Sequence, residues 1–125
     1  MTNIKDNVMR ERMSKDFQAL FPTDPLPRAL QAFAYTKNGI TPVLNEEGTL
    51  VGILTKNHVI RALAEGHDFE TPIEPFVHFN PICITPDSTC TEIRSLFVEN
   101  SISHEPVVNS QNRLVGVVST PHIVY

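Results

Sequence analysis

Apolar and polar positions along this chain come round twice in the same order. A short apolar run, FQALF at 17–21 or ICIT at 82–85, ends at a proline, Pro22 or Pro86. Asp, Ser or Thr follows each proline, which is turn and helix-capping chemistry. Apolar residues then recur at helical spacing: Leu26, Leu30, Phe33 and Ala34 in the first half, Ile93, Leu96 and Phe97 in the second. Next come two apolar runs, TPVLN and TLVGIL in one half, EPVVN and RLVGVV in the other. The turn residues NEEG and NSQN join them, which predicts a β-hairpin. A proline near the head of a strand is tolerated, because its missing N–H can fall where pairing starts. The returning strands stop at Thr55 and Ser119, both good caps for a following helix. Each half therefore reads β-α-β-β-α.

Sliding residues 13–61 onto 77–125, an offset of 64, needs no gap and leaves nine positions identical: Pro22/Pro86, Phe33/Phe97, Pro42/Pro106, Val43/Val107, Asn45/Asn109, Leu50/Leu114, Val51/Val115, Gly52/Gly116 and His58/His122. Most of these set backbone geometry, so an internal repeat organises the chain. The predicted layout is an N-terminal helix or tail over 1–12, a first repeat over 13–66, a linker over 67–76 and a second repeat over 77–125. Residues 3–14 place Ile4, Val8 and Met9 on one side of a mixed-charge segment. That reads as a helix packing on the chain or on a partner, a fraying tail being the other reading. The stretch AEGHDFETPIEPFVHFN, rich in charge and proline, suits a linker. The final helix has only Thr120–Tyr125, six residues, whereas its counterpart after Thr55 can run to about Ala64. So short a helix is marginal, and the natural chain is expected to continue into an effector domain.

Composition narrows the classes. With 125 residues, 41% of them hydrophobic and 19% charged, the chain has the makings of one compact globular unit. A net charge of −4 argues against a nucleic-acid footprint, which needs clustered Lys and Arg. No apolar run approaches the ~20 residues of a membrane span, and the start lacks the apolar region of a signal peptide. Cys83 and Cys90 fall where small apolar groups fit, so both are expected as buried thiols in a reducing compartment, the cytoplasm.

The pieces ITPDSTCTEI at 84–93 and PVVN…RLVGVVS within 106–119, with the weaker counterparts LFPTDPLPRA and PVLNEEGTLVGILT, resemble the tandem cystathionine-β-synthase (CBS) domain pair, or Bateman module. The resemblance covers about residues 8–125 and rests on two copies in order at constant spacing. It implies an α+β fold in which two β-α-β-β-α repeats pack by their sheets about a pseudo-twofold axis, leaving two clefts between them. It also implies pairing into flat homodimeric discs. In function it implies a regulatory module that binds an adenosine-containing ligand (AMP, ADP, ATP or S-adenosylmethionine) and controls an attached domain.

In that family a Thr or Ser opens the last helix of each repeat and an Asp three residues on holds the ligand's ribose. A carboxylate suits this because it can accept from two adjacent hydroxyls with charge-assisted bonds. Thr55 and Ser119 keep the hydroxyl, but His58 and His122 stand where the Asp belongs. The positive field of the helix N-terminus should keep each imidazole neutral. A neutral ring has one donor and one acceptor, so the ribose clamp is expected to weaken by about 1–3 kcal/mol. Three readings of the histidines stand open: cleft residues that touch ligand through one bond or by stacking, plain polar residues at a helix start beside vestigial clefts, or metal ligands. The metal reading is poor, since no carboxylate or Cys lies at ligand spacing beside them. Gly52 and Gly116 would let a backbone approach a ligand closely. The resemblance further implies ligand contacts from Thr85, whose counterpart is Phe21, and from the positions before the PV strands: Asn38, Gly39 and Ile40, and Ile102, Ser103 and His104. For each of these, a loop residue that closes the fold is the alternative. Lys56, Arg28, Arg94 and Arg113 are the cations available for a phosphate.

No P-loop, G-x-G-x-x-G after a strand, HExxH or paired CxxC occurs; nothing supports a meeting of Ser119, Asp87 and His104 as a triad, and Ser119 is better explained as a helix cap. The chain is therefore expected not to be an enzyme. Two classes remain: a ligand-sensing regulatory module, and a non-binding dimerisation or docking module with degenerate clefts.

Overall fold

The computed structural model describes residues 13–15, 17–34, 39–100, 102 and 104–119. The expected N-terminal and final helices, with Asn38, Ser103 and His122, lie outside the described residues. The first half contains α1 (Leu26–Ala34), the hairpin β1 (Ile40–Leu44) and β2 (Leu50–Thr55), and α2 (Lys56–Ala64). A 3-10 helix (Glu74–Phe76) and β3 (His78–Phe79) lead to the second half, which contains α3 (Cys90–Asn100) and the hairpin β4 (His104–Val108) and β5 (Leu114–Ser119). The result is the mixed helix-and-sheet architecture that the repeat predicts.

The hairpins explain two of the repeated residues. Asn45 Oδ1 accepts from the N–H of Glu47 at 3.0 Å and of Thr49 at 2.9 Å. Asn109 Oδ1 likewise accepts from Gln111 at 2.9 Å and Arg113 at 3.0 Å. Both turns then need a left-handed residue, supplied by Gly48 at φ 82° and Asn112 at φ 59°. Glycine and asparagine adopt that conformation at least cost. NEEG and NSQN are the same turn in different residues.

The apolar runs expected as first strands contribute one parallel bridge each, Leu20 to Val43 and Ile84 to Val107. Leu20 N–H donates to Pro42 O at 2.9 Å and Leu20 O accepts from Leu44 N–H at 2.8 Å; Ile84 repeats this with Pro106 at 3.1 Å and Val108 at 2.8 Å. Pro42 sits two residues inside β1 rather than at its head. Its missing N–H points to the flank where the Leu20 bridge only begins, so no ladder bond is lost.

Each repeat has its own core. Leu20, Leu26, Val43, Leu54, Val59 and Ile73 pack in the first; Ile84, Cys90, Ile93, Phe97, Val107 and Val118 pack in the second. Full burial of each large aliphatic contributes about 1.5–3 kcal/mol. The halves meet through a third cluster of Ile40, Ile53, Val117 and Phe17, in which Ile53 and Val117 are equivalent residues of the two repeats. At the hairpin tips, Leu50 N–H donates to Asn112 O at 3.0 Å and Asn112 Nδ2 donates to Leu50 O at 3.1 Å.

The end of the charged connecting stretch packs as part of the first repeat. Ile73 is wholly buried, its N–H donating to Asp24 O at 2.8 Å. β3 then pairs antiparallel with β2, Gly52 opposite Phe79 and Ile53 opposite His78. A Cβ on Gly52 would lie 2.6 Å from His78 O and from Val77 Cγ1. In the second repeat, Ser14 pairs with Val117 in the same way, and a Cβ on Gly116 would lie 2.6 Å from Met13 Sδ. The close approach at both glycines is thus made by the chain itself.

One expectation about the thiols is corrected. Cys90 is buried, but Cys83 is exposed, because its run of chain makes only the single bridge at Ile84 and its side chain is left uncovered; both thiols are free.

Candidate functional site

The first turn of α2 is fixed by a reciprocal cap. Thr55, in extended conformation, accepts at Oγ1 from the His58 N–H at 3.2 Å, while His58 Nδ1 accepts from the Thr55 N–H at 3.4 Å. This is a capping box with imidazole in the place usually held by Glu or Gln. Because Nδ1 accepts, the neutral ring carries its proton on Nε2. Burial, then the neighbouring His78 and Arg61, hold the His58 pKa below its ordinary 6.5. The direction matches the sequence-based expectation, but these causes stand in place of the helix field. Protonation would remove the acceptor. The stability supplied by this ring is present above pH 6.5 and is lost as pH falls toward the lowered folded value. His58→Ala is expected to cost about 0.5–1 kcal/mol at neutral pH in thermal melts, and His58→Gln to restore most of it. Equal losses in the two variants would exclude the capping role.

A recess of about 330 Å³ opens between the repeats, lined among the described residues by Gly39, Ile40, Thr55, Lys56, Asn57 and His104. It brings together four of the residues singled out in the sequence: Gly39, Ile40, Thr55 and His104. The His104 ring packs closely over Gly39: a Cβ there would lie 3.0 Å from Cε1, so any side chain at 39 would press the ring aside. Lys56 N–H donates to Gly39 O at 3.4 Å, tying the helix start to the strand start.

The other site residues fall elsewhere. His58 lines a different recess, with Arg61 and His78. Thr85 is exposed in the turn before α3, its Oγ1 3.1 Å from Ser88 Oγ. Ile102 packs against the second core. Ser119 is buried at the end of β5, opposite His104. Phe21 borders an apolar recess of about 610 Å³ beside Val51 and Phe79. Of the proposed cations, only Lys56 lines the recess between the repeats. Asn57 lines it too and was not singled out by the sequence. Its signal was its position: once the third helical side chain closes the cap, the second is the next polar group at the helix start. Among the described residues no group of three or more His, Cys, Asp and Glu could hold a metal ion.

Beside His104, Glu105 is only 4% exposed, and its Oε2 has no hydrogen-bond partner among the described residues. Burial pushes its carboxyl up from 4.5 to about 7. No helix of the described residues is long and apolar enough to cross a membrane.

The CBS domain family model matches residues 6–65 and 73–125. The protein MJ1225 of Methanocaldococcus jannaschii is 28% identical over 116 residues, which is 93% of this chain and 41% of that protein. The CBS domain-containing protein YhcV of Bacillus subtilis is 27% identical over 120 residues, 95% of this chain and 81% of that one. The chain spans under half the length of some relatives: 41% of MJ1225 and 49% of a 17.7 kDa protein of Acidianus ambivalens. Among solved structures, the CBS domain pair of protein MJ0100, in complex with 5'-methylthioadenosine and S-adenosylmethionine, superposes with a TM-score of 0.84 at 24% identity, covering 94% of this chain and 93% of that one. CBSX2 of Arabidopsis thaliana, in complex with AMP, gives a TM-score of 0.79 at 15% identity over 93% and 92%.

Proposed function

The chain belongs to the CBS domain family, and on that premise we propose that it is a regulatory module that senses an adenosine-containing nucleotide in the recess between its repeats. The observation that carries this reading is the composition of that recess: Gly39, Ile40, Thr55, Lys56 and Asn57 from one repeat, with His104 from the other. A ligand held by both repeats favours the arrangement in which they are closed over it, and that preference is the signal. The complexes of the MJ0100 pair with 5'-methylthioadenosine and S-adenosylmethionine, and of CBSX2 with AMP, support the ligand class.

The roles follow from donor and acceptor counts. Ile40 and the Gly39 backbone take the flat base. Thr55 Oγ1 already accepts from His58 N–H, which leaves its own proton to donate to a sugar oxygen. The Asn57 amide offers both donor and acceptor to the sugar hydroxyls. Lys56 and the N-terminus of α2 favour a phosphate. With no carboxylate in the ribose position, affinity is about ten- to a hundredfold lower than such a clamp would give. The module acts on an effector domain attached to it and pairs with a second copy of itself.

One observation favours the second reading, a docking module that binds no ligand: His58 is engaged in the cap and stands outside the recess. Calorimetry and thermal melts with AMP, ADP, ATP and S-adenosylmethionine separate the two. Saturable heat and a rise in Tm with at least one of them is expected; no heat and no shift at about millimolar ligand leaves the docking module.

A further inference from the structure

A second recess adjoins the first turn of α2 and shares no residue with the one between the repeats. It encloses about 380 Å³ and is bounded by His58, Arg61 and Glu65 of α2, by Pro75, Phe76 and Val77, and by His78 of β3. Its donors outnumber its acceptors. The Arg61 guanidinium and the His78 ring make no hydrogen bond or ion pair with the described residues. The cap commits His58 Nδ1 to the Thr55 N–H, so the neutral ring offers Nε2–H as a further donor. Glu65 is the only carboxylate among the lining residues described, and its Oε2 is engaged by His67 Nε2 at 3.3 Å. Three donor side chains thus gather in a chain whose net charge is −4. Burial first, then His78 and Arg61, disfavour a proton on His58 Nδ1, so the ring enters the recess neutral with its Nε2–H outward from the cap.

We propose that this recess binds the phosphate group of a small phosphorylated organic molecule, with Arg61, His78 and His58 Nε2–H as donors and Pro75 and Phe76 against its organic part. A phosphate presents several strong acceptors and up to two charges, and guanidinium binds it through paired N–H groups. The volume exceeds what a bare phosphate fills and lies within the range of small-molecule sites. Phe76, whose ring is packed edge-on to His67 at 4.8 Å, gives the organic part an apolar wall. Occupation ties α2 to the connecting segment, the route by which the chain leaves the first repeat for the second. This site goes beyond the adenosine reading and does not depend on it.

The test is a titration of the histidine ring signals by NMR at pH 7 with phenyl phosphate and with inorganic phosphate, on the native chain and on Arg61→Gln and His78→Gln. Both side chains belong to exposed residues, and melts confirm that the variants are folded. Saturable shifts of His58 and His78 are expected, phenyl phosphate binding more tightly than phosphate and Arg61→Gln weakening both by about tenfold or more. Unmoved His78 signals in the native chain, or variants that bind as well as it does, overturn the proposal. Adenosine, which has no phosphate, is titrated in parallel. Its binding at Gly39 and His104 without any phosphate effect refutes this site and leaves the sensing function standing; phosphate binding without adenosine does the reverse.

Discussion

Replacing Gly52 by alanine is expected to lower stability by about 3 kcal/mol, the upper part of the range for overpacking a close contact. The new methyl would meet backbone, His78 O at 2.6 Å, and Val77 Cγ1 at the same distance. Carbonyl oxygen held in a strand pair has no rotamer to escape into, so β3 must leave β2. Val77 and Ile73, buried in the first core, are then pulled with it. Urea unfolding measures the loss, and hydrogen exchange should localise it to the N–H groups of residues 73–79. A change below about 0.5 kcal/mol would mean that β3 is not held against Gly52 in solution.

Glu105→Gln is expected to remove a pH dependence that the native chain displays. The unfolded carboxyl ionises near 4.5, whereas burial holds the folded one to about 7. Between those values the folded state binds more protons than the unfolded state, so native stability falls as pH rises from about 4.5 to about 7 and is flat above that. The displacement is worth on the order of 2–3 kcal/mol. Gln keeps the shape and has no charge to lose. The variant should match the native chain near pH 4 and exceed it by about 2 kcal/mol at pH 8. Denaturant unfolding across that range decides it. Parallel curves for the two proteins would show that the carboxylate is already hydrated or paired. The Cys83 thiol, in an exposed residue but partly desolvated at its sulfur, reports on the same charge: that desolvation raises it first and Glu105 raises it further.

The repeat made the architecture legible because its shared residues serve backbone geometry in both copies. Asn45 and Asn109 close the same turn with the same two bonds, and the pattern of apolar residues around them fixes which faces are buried. Gly52 and Gly116 were legible as close-approach positions, but one sequence could not say what approaches. It is the segment entering each repeat, and nothing about a lone glycine distinguishes a strand from a ligand. The connecting stretch read as linker because its charges and prolines are local, whereas Ile73 and Val77 are buried through contacts with distant residues. His58 was seen as a site residue through a family pattern. Its bond to the Thr55 amide follows from a capping-box spacing that usually carries Glu or Gln, which imidazole fills with Nδ1. Glu105 drew no notice, because a Glu before a proline looks like a strand-edge charge until the strand is placed in a buried hairpin.

The proposed sensing function depends on a ligand seated between Gly39 and His104. The measurement that meets it head on is an amide and histidine NMR shift map recorded with AMP. Coherent, saturable movement of Gly39, Ile40, Thr55, Asn57 and His104 is the outcome expected of a nucleotide held by both repeats. A folded spectrum in which those five signals stay still at saturating AMP would contradict it.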